Sequence, residues 1–194
     1  MLVAFNKPYG ILSQFNPNPG EPEQGTLKNF DLPGKVVPLG RLDMDSEGLL
    51  LFTDEKSLEH KLLHPRFQHR RRYLVLVEGE PVASDLDQLR SGGIIIKGHR
   101  CMPCRARAIK QQPDFVWERD PPVRVRQKII DTWLRLELRE GKNRQVRRMT
   151  AAIGFPTLRL IREGIGTFPL GDLQPGEWKE LDEDERNAVF AHSR

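Results

Sequence analysis

Apolar residues in this chain fall into short runs and alternations rather than long helical stretches. The run Leu49-Leu50-Leu51-Phe52, closed by Thr53-Asp54, predicts a buried strand that ends at a helix cap. Thr53 or Asp54 is placed to cap a helix over residues 55–64, with Leu58, Leu62 and Leu63 on its apolar face and Pro65 as its stop. Residues 73–77 alternate as a strand, and Gly79 and Pro81 end it. A short capped helix over residues 84–90 is closed by Gly92-Gly93, and Ile94-Ile95-Ile96 suggests another strand. Leu134, Leu136 and Leu138 alternate with Arg135, Glu137 and Arg139, the pattern of a half-buried strand.

Residues 143–153 change to helical period. Val146, Met149, Thr150 and Ile153 fall on one face, while Arg144, Arg147 and Arg148 fall on the opposite one. Gly154 ends that helix, strand-like residues 157–161 follow, and Gly164, Gly166, Pro169 and Gly171 mark turns. Residues 13–25 read as a loop, and residues 110–127 as an irregular, proline-rich connection. Many strands and few helices, without a regular β-α-β alternation, predict an α+β fold with a mixed or antiparallel sheet.

At 194 residues the chain is long enough for one sizeable core or for two subdomains sharing a sheet. No apolar stretch approaches the roughly 20 residues of a membrane span, and the first residues do not form a secretory signal. The expectation is a cytoplasmic protein. The net charge is only +4, but its distribution is uneven. Arg66, Arg70, Arg71 and Arg72 crowd one segment, and Arg139, Lys142, Arg144, Arg147 and Arg148 crowd another. Such density is the footprint of a polyanion partner, or of a solvated arginine-rich surface. Cys101 and Cys104 form a lone Cys-x-x-Cys; without a second pair they read as two reduced thiols rather than a zinc site.

The chemistry concentrates at Gly40-Arg41-Leu42-Asp43-Met44-Asp45-Ser46-Glu47-Gly48, an acidic loop feeding the apolar strand. Three readings stand. Asp43, Asp45, Glu47 and Gly48 match positions one, three, five and six of a calcium loop, with Asp54 at twelve, although no helices flank it. The carboxylates could instead bond the local backbone of a turn. Or Asp43, near arginines, stays ionised and acts as nucleophile or base. Signatures for serine hydrolases, zinc deaminases and zinc proteases are missing. A lone aspartate among arginines suits metal-free chemistry on a nucleic acid.

Gly40-Arg41-Leu42-Asp43 resembles the motif that carries the essential aspartate of the RNA pseudouridine synthases. Arg72-Tyr73-Leu74-Val75 resembles their second motif. Residues 140–149, Glu-Gly-Lys-Asn-Arg-Gln-Val-Arg-Arg-Met, resemble the third, in the form typical of the branch named for its small-subunit ribosomal member. Asn6-Lys7-Pro8-Tyr9-Gly10 is similar to the start of these catalytic domains. The motifs occur in family order, and the stretches 154–162 and 176–178 resemble members that act on large-subunit ribosomal RNA. The resemblance implies a catalytic domain over residues 1–186 with a tail at 187–194, and no small RNA-binding domain before it. It implies an extended mixed sheet in two fused subdomains with a central active-site cleft.

The resemblance further implies that Asp43 opens the glycosidic bond of a uridine, by attack on the sugar or by removal of its 2′ proton. Tyr73 would stack on the flipped uracil, and Arg147 would pair with Asp43. Arg41, Lys142, Arg144 and Arg148 would contact phosphates, with Gln145 beside them at the substrate. Leu160 or Ile161 would form an apolar wall under the base. It implies ribosomal RNA as partner; the isomerisation involves no net redox change, so neither cofactor nor metal is expected, and a monomer is the expectation for the oligomeric state. A catalytically inert RNA-binding assembly factor on the same fold is the alternative.

Overall fold

The computed structural model describes residues 1–123 and 130–191. In chain order the elements are β1 (Leu2–Lys7), β2 (Val37–Pro38), β3 (Glu47–Thr53), α1 (Lys56–Leu63), β4 (Arg71–Glu78), α2 (Ala83–Ser91), β5 (Ile95–Ile96), β6 (His99–Arg100), β7 (Arg105–Ile109), β8 (Asp131–Leu138), α3 (Gln145–Ala152), β9 (Thr157–Ile165), β10 (Phe168–Pro169), β11 (Trp178–Glu180) and α4 (Glu183–Phe190). This is an α+β fold with a mixed sheet, and the chain divides into two compact units.

The first unit comprises Met1–His69 and Ile161–Arg194. Its strands run in the order β11-β1-β3, and β3 pairs in parallel with the later part of β9. All six residues of β1 and all seven of β3 are buried, as a strand covered on both faces requires. Phe5, Phe52, Leu27, Val36 and Leu50 fill this core, and Phe5 meets Phe30 and Phe52 edge to face. Helix α1 starts at Lys56, and Glu55 at its N-cap makes no side-chain cap bond. Of the expected capping residues, Asp54 binds the N-terminal ammonium at 2.7 Å, while Thr53 Oγ1 donates to Met1 O at 2.6 Å and accepts from Glu55 N–H at 3.0 Å, short of the first helical turn.

Three further expectations change in this unit. Gly164 is not a turn residue; β9 continues to Ile165, and Gly164 pairs with Pro169. The expected tail from residue 187 is cut by α4, whose Val189 is fully buried. The remainder of that tail, residues 192–194, lies outside the described residues. The calcium loop does not form. Glu47 and Asp54 lie at opposite ends of an extended seven-residue strand, roughly 20 Å apart at about 3.3 Å per residue.

The second unit is Arg70–Leu160. The beginning of β9, then β4, β8 and β7, lie in that order, with β4–β8 and β8–β7 antiparallel. Leu134, Leu136 and Leu138 are buried as their alternation predicts, and α3 seals them with Val146 and Met149. Helix α3 is shorter than expected, starting at Gln145 rather than 143. Arg144 precedes it in a left-handed conformation, φ +52°. Gly154, φ +92°, ends it as anticipated. Residues 110–123 hold no strand or α-helix, and residues 124–127 of the expected connection lie outside the described set.

Candidate active site

The first unit holds Asp43 on the loop just before β3, half-buried. The loop is not left to itself. Ser46 N–H donates to Asp43 O at 3.0 Å, closing a turn. Gly10 N–H donates to Met44 O at 2.9 Å. Ser13 Oγ donates to Leu42 O at 2.8 Å and accepts from Leu42 N–H at 3.0 Å. The main chain is therefore gripped on both sides of Asp43 by the segment that follows β1. Arg41 is exposed and donates to Gln14 Oε1 at 3.2 Å.

Beneath the loop lies a charge that pattern reading passed over. Lys7 is fully buried at the end of β1. Its Nζ donates to Pro8 O at 2.9 Å, to Ile11 O at 2.7 Å and, more weakly, to Met44 O at 3.4 Å. Burial pushes the Lys7 ammonium down to about 7, while Glu47, Asp45 and Asp43 pull the other way. Glu47 and Arg162 are buried in the same unit, and Arg162 Nε donates to Leu49 O at 2.7 Å. The base of the Asp43 loop is thus a buried set of opposite charges. The one signal in the sequence was Lys7 itself, inside the Asn-Lys-Pro stretch but without an assigned task.

The second unit holds the other expected residues. Tyr73 lies in β4 opposite Leu136, only 9% exposed, within the core cluster. Arg147 is half-buried on α3, and its Nη1 lies 3.4 Å from Thr157 O. Lys142 and Arg144 are exposed. Arg148 turns back onto Asn143, donating to its O at 2.6 Å and its Oδ1 at 2.8 Å. Leu160 is buried among core side chains of this unit, and Ile161 is fully buried where β9 enters the first unit.

Gln145, expected at the substrate, and Arg70, in the first arginine cluster, both make internal bonds. Gln145 is 4% exposed. Its amide donates to Glu140 Oε1 at 2.6 Å, and its carbonyl accepts from Lys142 N–H at 2.9 Å. Glu140 in turn receives His99 Nε2 at 2.7 Å and Met102 N–H at 2.8 Å. These bonds hold the Glu140 carboxyl below its ordinary range against the opposing effect of burial. Gln145 therefore fixes the start of α3. Arg70 is buried and ion-paired with Glu137, which also meets Arg105 at 3.4 Å, so the first arginine cluster is partly structural. Cys101 and Cys104 are buried free thiols, and burial drives Cys104 up to about 12. Among the described residues no group of His, Cys, Asp and Glu is arranged to hold a metal.

Comparison with known proteins converges on one family. The profile of the RNA pseudouridylate synthases matches residues 1–152. "Ribosomal large subunit pseudouridine synthase E" of Xanthomonas campestris pv. campestris is 49% identical over 179 residues, 92% of this chain and 94% of that protein. The protein of the same name from Vibrio parahaemolyticus is 46% identical over 180 residues, covering 93% of this chain and 73% of its own length. A crystal structure of a pseudouridylate synthase superposes with a TM-score of 0.76 at 25% identity, over 97% of this chain and 73% of that one. With the motif around Asp43, the third-motif helix and the mixed sheet all in place, the chain belongs to the RNA pseudouridylate synthase family.

Proposed function

We propose that this protein isomerises a specific uridine to pseudouridine in ribosomal RNA of the large subunit. The observation that carries the reading is the 46–49% identity, over more than nine-tenths of this chain, to proteins named for that activity. The bond from ribose C1′ to uracil N1 breaks, a bond from C1′ to C5 forms, C5 loses its proton and N1 gains one. Nothing is oxidised or reduced, so the reaction asks for no cofactor. The detached base must stay bound while it turns, which rewards a stacked, apolar surface.

Asp43 is the essential carboxylate, acting on C1′ or on the 2′ proton. Its half-exposed position on a gripped loop supports this role. Tyr73 stacks on the uracil after the nucleotide leaves its helix, an eversion that costs a few kcal/mol. Arg147 is the counter-cation that keeps Asp43 ionised in the substrate complex. The exposed Arg41, Lys142 and Arg144 take phosphates, and Arg148 joins them if it releases Asn143. Leu160 and Ile161 form the apolar backing of the base. Phosphate contacts position the RNA without reading its sequence, and their contribution falls with salt. The enzyme works as a cytoplasmic monomer; among the described residues no helix is long and apolar enough to cross a membrane.

Release of tritium from 5-tritiated uridine in ribosomal RNA tests the reading. Asp43→Asn is expected to lower the rate by at least about 10³-fold, equivalent to about 4 kcal/mol of barrier, with RNA affinity retained. Absence of tritium release by the unmodified protein, with RNA still bound, would instead support the inert assembly factor. An active Asp43→Asn variant would remove Asp43 from the mechanism.

A further inference from the structure

We infer that Ser13 is a positioning residue for Asp43, acting through the main chain of Leu42; the inference rests on the proposed role of Asp43. Ser13 is 3% exposed and lies outside every strand and helix. Its single oxygen serves both backbone groups of Leu42, donating to the carbonyl at 2.8 Å and accepting from the amide at 3.0 Å. Leu42 is buried at 7% exposure and precedes Asp43 directly. It belongs to no strand, so no ladder neighbour is at hand to replace either bond. A buried amide and carbonyl left without partners shift the chain or draw in water.

The direction of the constraint is specific. Hydrogen bonds on both polar groups of one peptide-flanking residue fix where that residue sits and how its peptide planes are turned. Those planes set the bearing of the next Cα–Cβ bond, which is that of Asp43. The far side of Asp43 is held separately, by Gly10 N–H on Met44 O at 2.9 Å and by Ser46 N–H on Asp43 O at 3.0 Å. Removing the Ser13 hydroxyl therefore loosens one of two anchors. The loop stays attached but the carboxylate loses its aim. Misplacement of a reacting group by about 1 Å costs on the order of 10²-fold in rate. RNA affinity, which in the proposed function rests chiefly on Lys142, Arg144 and Arg148 of the second unit and on this loop only through Arg41, should change little.

The test compares Ser13→Ala, Ser13→Thr, Ser13→Cys and Asp43→Asn in single-turnover tritium release. RNA dissociation constants are measured in parallel, well below each variant's melting temperature. Ser13→Ala is expected to slow the chemical step roughly 10–100-fold with affinity within about 3-fold. Ser13→Thr, which keeps the hydroxyl, restores most of the rate. Ser13→Cys, of similar size but a weak hydrogen-bonding partner, does not. If Ser13→Ala does not fold, the contrast between the Thr and Cys variants decides. A Ser13→Ala enzyme at full rate, or a Cys variant as fast as the Thr variant, overturns the inference while an inactive Asp43→Asn leaves the proposed function standing. Loss of affinity in step with rate also overturns it. An active Asp43→Asn variant overturns the role of Asp43, and the inference with it.

Discussion

Gly48 offers a direct measure of how the Asp43 loop is joined to the sheet. Its φ of +97° lies where any residue with a Cβ is strained. A Cβ there would also stand 2.4 Å from Arg162 O and 2.8 Å from Arg162 N. Both are main-chain atoms in the parallel pairing of Gly48 with Arg162, so neither can swing aside. The backbone strain costs about 1–3 kcal/mol. The overpacking costs about 1–3 kcal/mol more. Gly48→Ala should thus lose roughly 2–6 kcal/mol, against a total stability of about 5–15 kcal/mol for a typical domain. At about 2–4 °C per kcal/mol for a chain of this size, melting falls by roughly 4–24 °C. Gly10→Ala is the control. Gly10 has φ +77°, but nothing lies within 4 Å of its added Cβ, so only the backbone term applies. Urea unfolding followed by circular dichroism gives both values. Equal losses in the two variants would refute the close-approach argument. A Gly48→Ala protein within about 0.5 kcal/mol of the parent would refute the strain argument as well.

Lys7 and the two thiols give further tests. Lys7 falls from 10.5 to about 7 in the folded protein. Between those values the unfolded chain holds the extra proton, so this residue makes stability rise with pH by up to about 1.4 kcal/mol per unit. Its penalty is fully present below pH 7. Lys7→Met should remove that slope, and identical pH–stability curves for the two proteins would exclude a depressed Lys7. Burial raises both Cys101 and Cys104, so iodoacetamide near pH 8 should leave both thiols untouched in the folded protein and alkylate both in urea; rapid labelling without denaturant would contradict this.

Periodicity reported well where side chains point, and poorly whom they meet. The alternation at Leu134, Leu136 and Leu138 located β8 because a two-residue period is a local property of the chain. The apolar run 49–52 located β3 for the same reason. The internal bonds of Arg70 and Gln145 were not legible because the partner of the first is distant in sequence and the neighbours of the second are cationic. Arg70 meets Glu137, 67 residues away, and an arginine bound for the interior looks the same in sequence as one bound for RNA. Gln145 sits amid four cationic neighbours, yet it turns inward to Glu140. Lys7 was overlooked because its acceptors are main-chain carbonyls, which carry no residue identity to read. The Asp43 motif itself was legible only through family resemblance. Its residues alone left calcium, turn and catalysis open, and an extended β3 between Glu47 and Asp54 removed the first.

The bonds around Asp43 share a feature that bears on how one aspartate is aimed. The Ser13, Gly10, Lys7 and Ser46 contacts all end on main-chain atoms of residues 42–44 and none of these four uses the Asp43 carboxylate. Ordering the four residues Leu42–Asp45 costs about 4–8 kcal/mol of backbone entropy. The four bonds of 3.0 Å or shorter return about 2–6 kcal/mol at 0.5–1.5 kcal/mol each. Burial of Leu42 adds roughly 1.5–3 kcal/mol. The terms nearly cancel, so the loop is held without surplus and each bond matters to its position. A grip on the backbone also fixes the loop without drawing on the carboxylate that does the chemistry, while the segment after β1 supplies the rigidity.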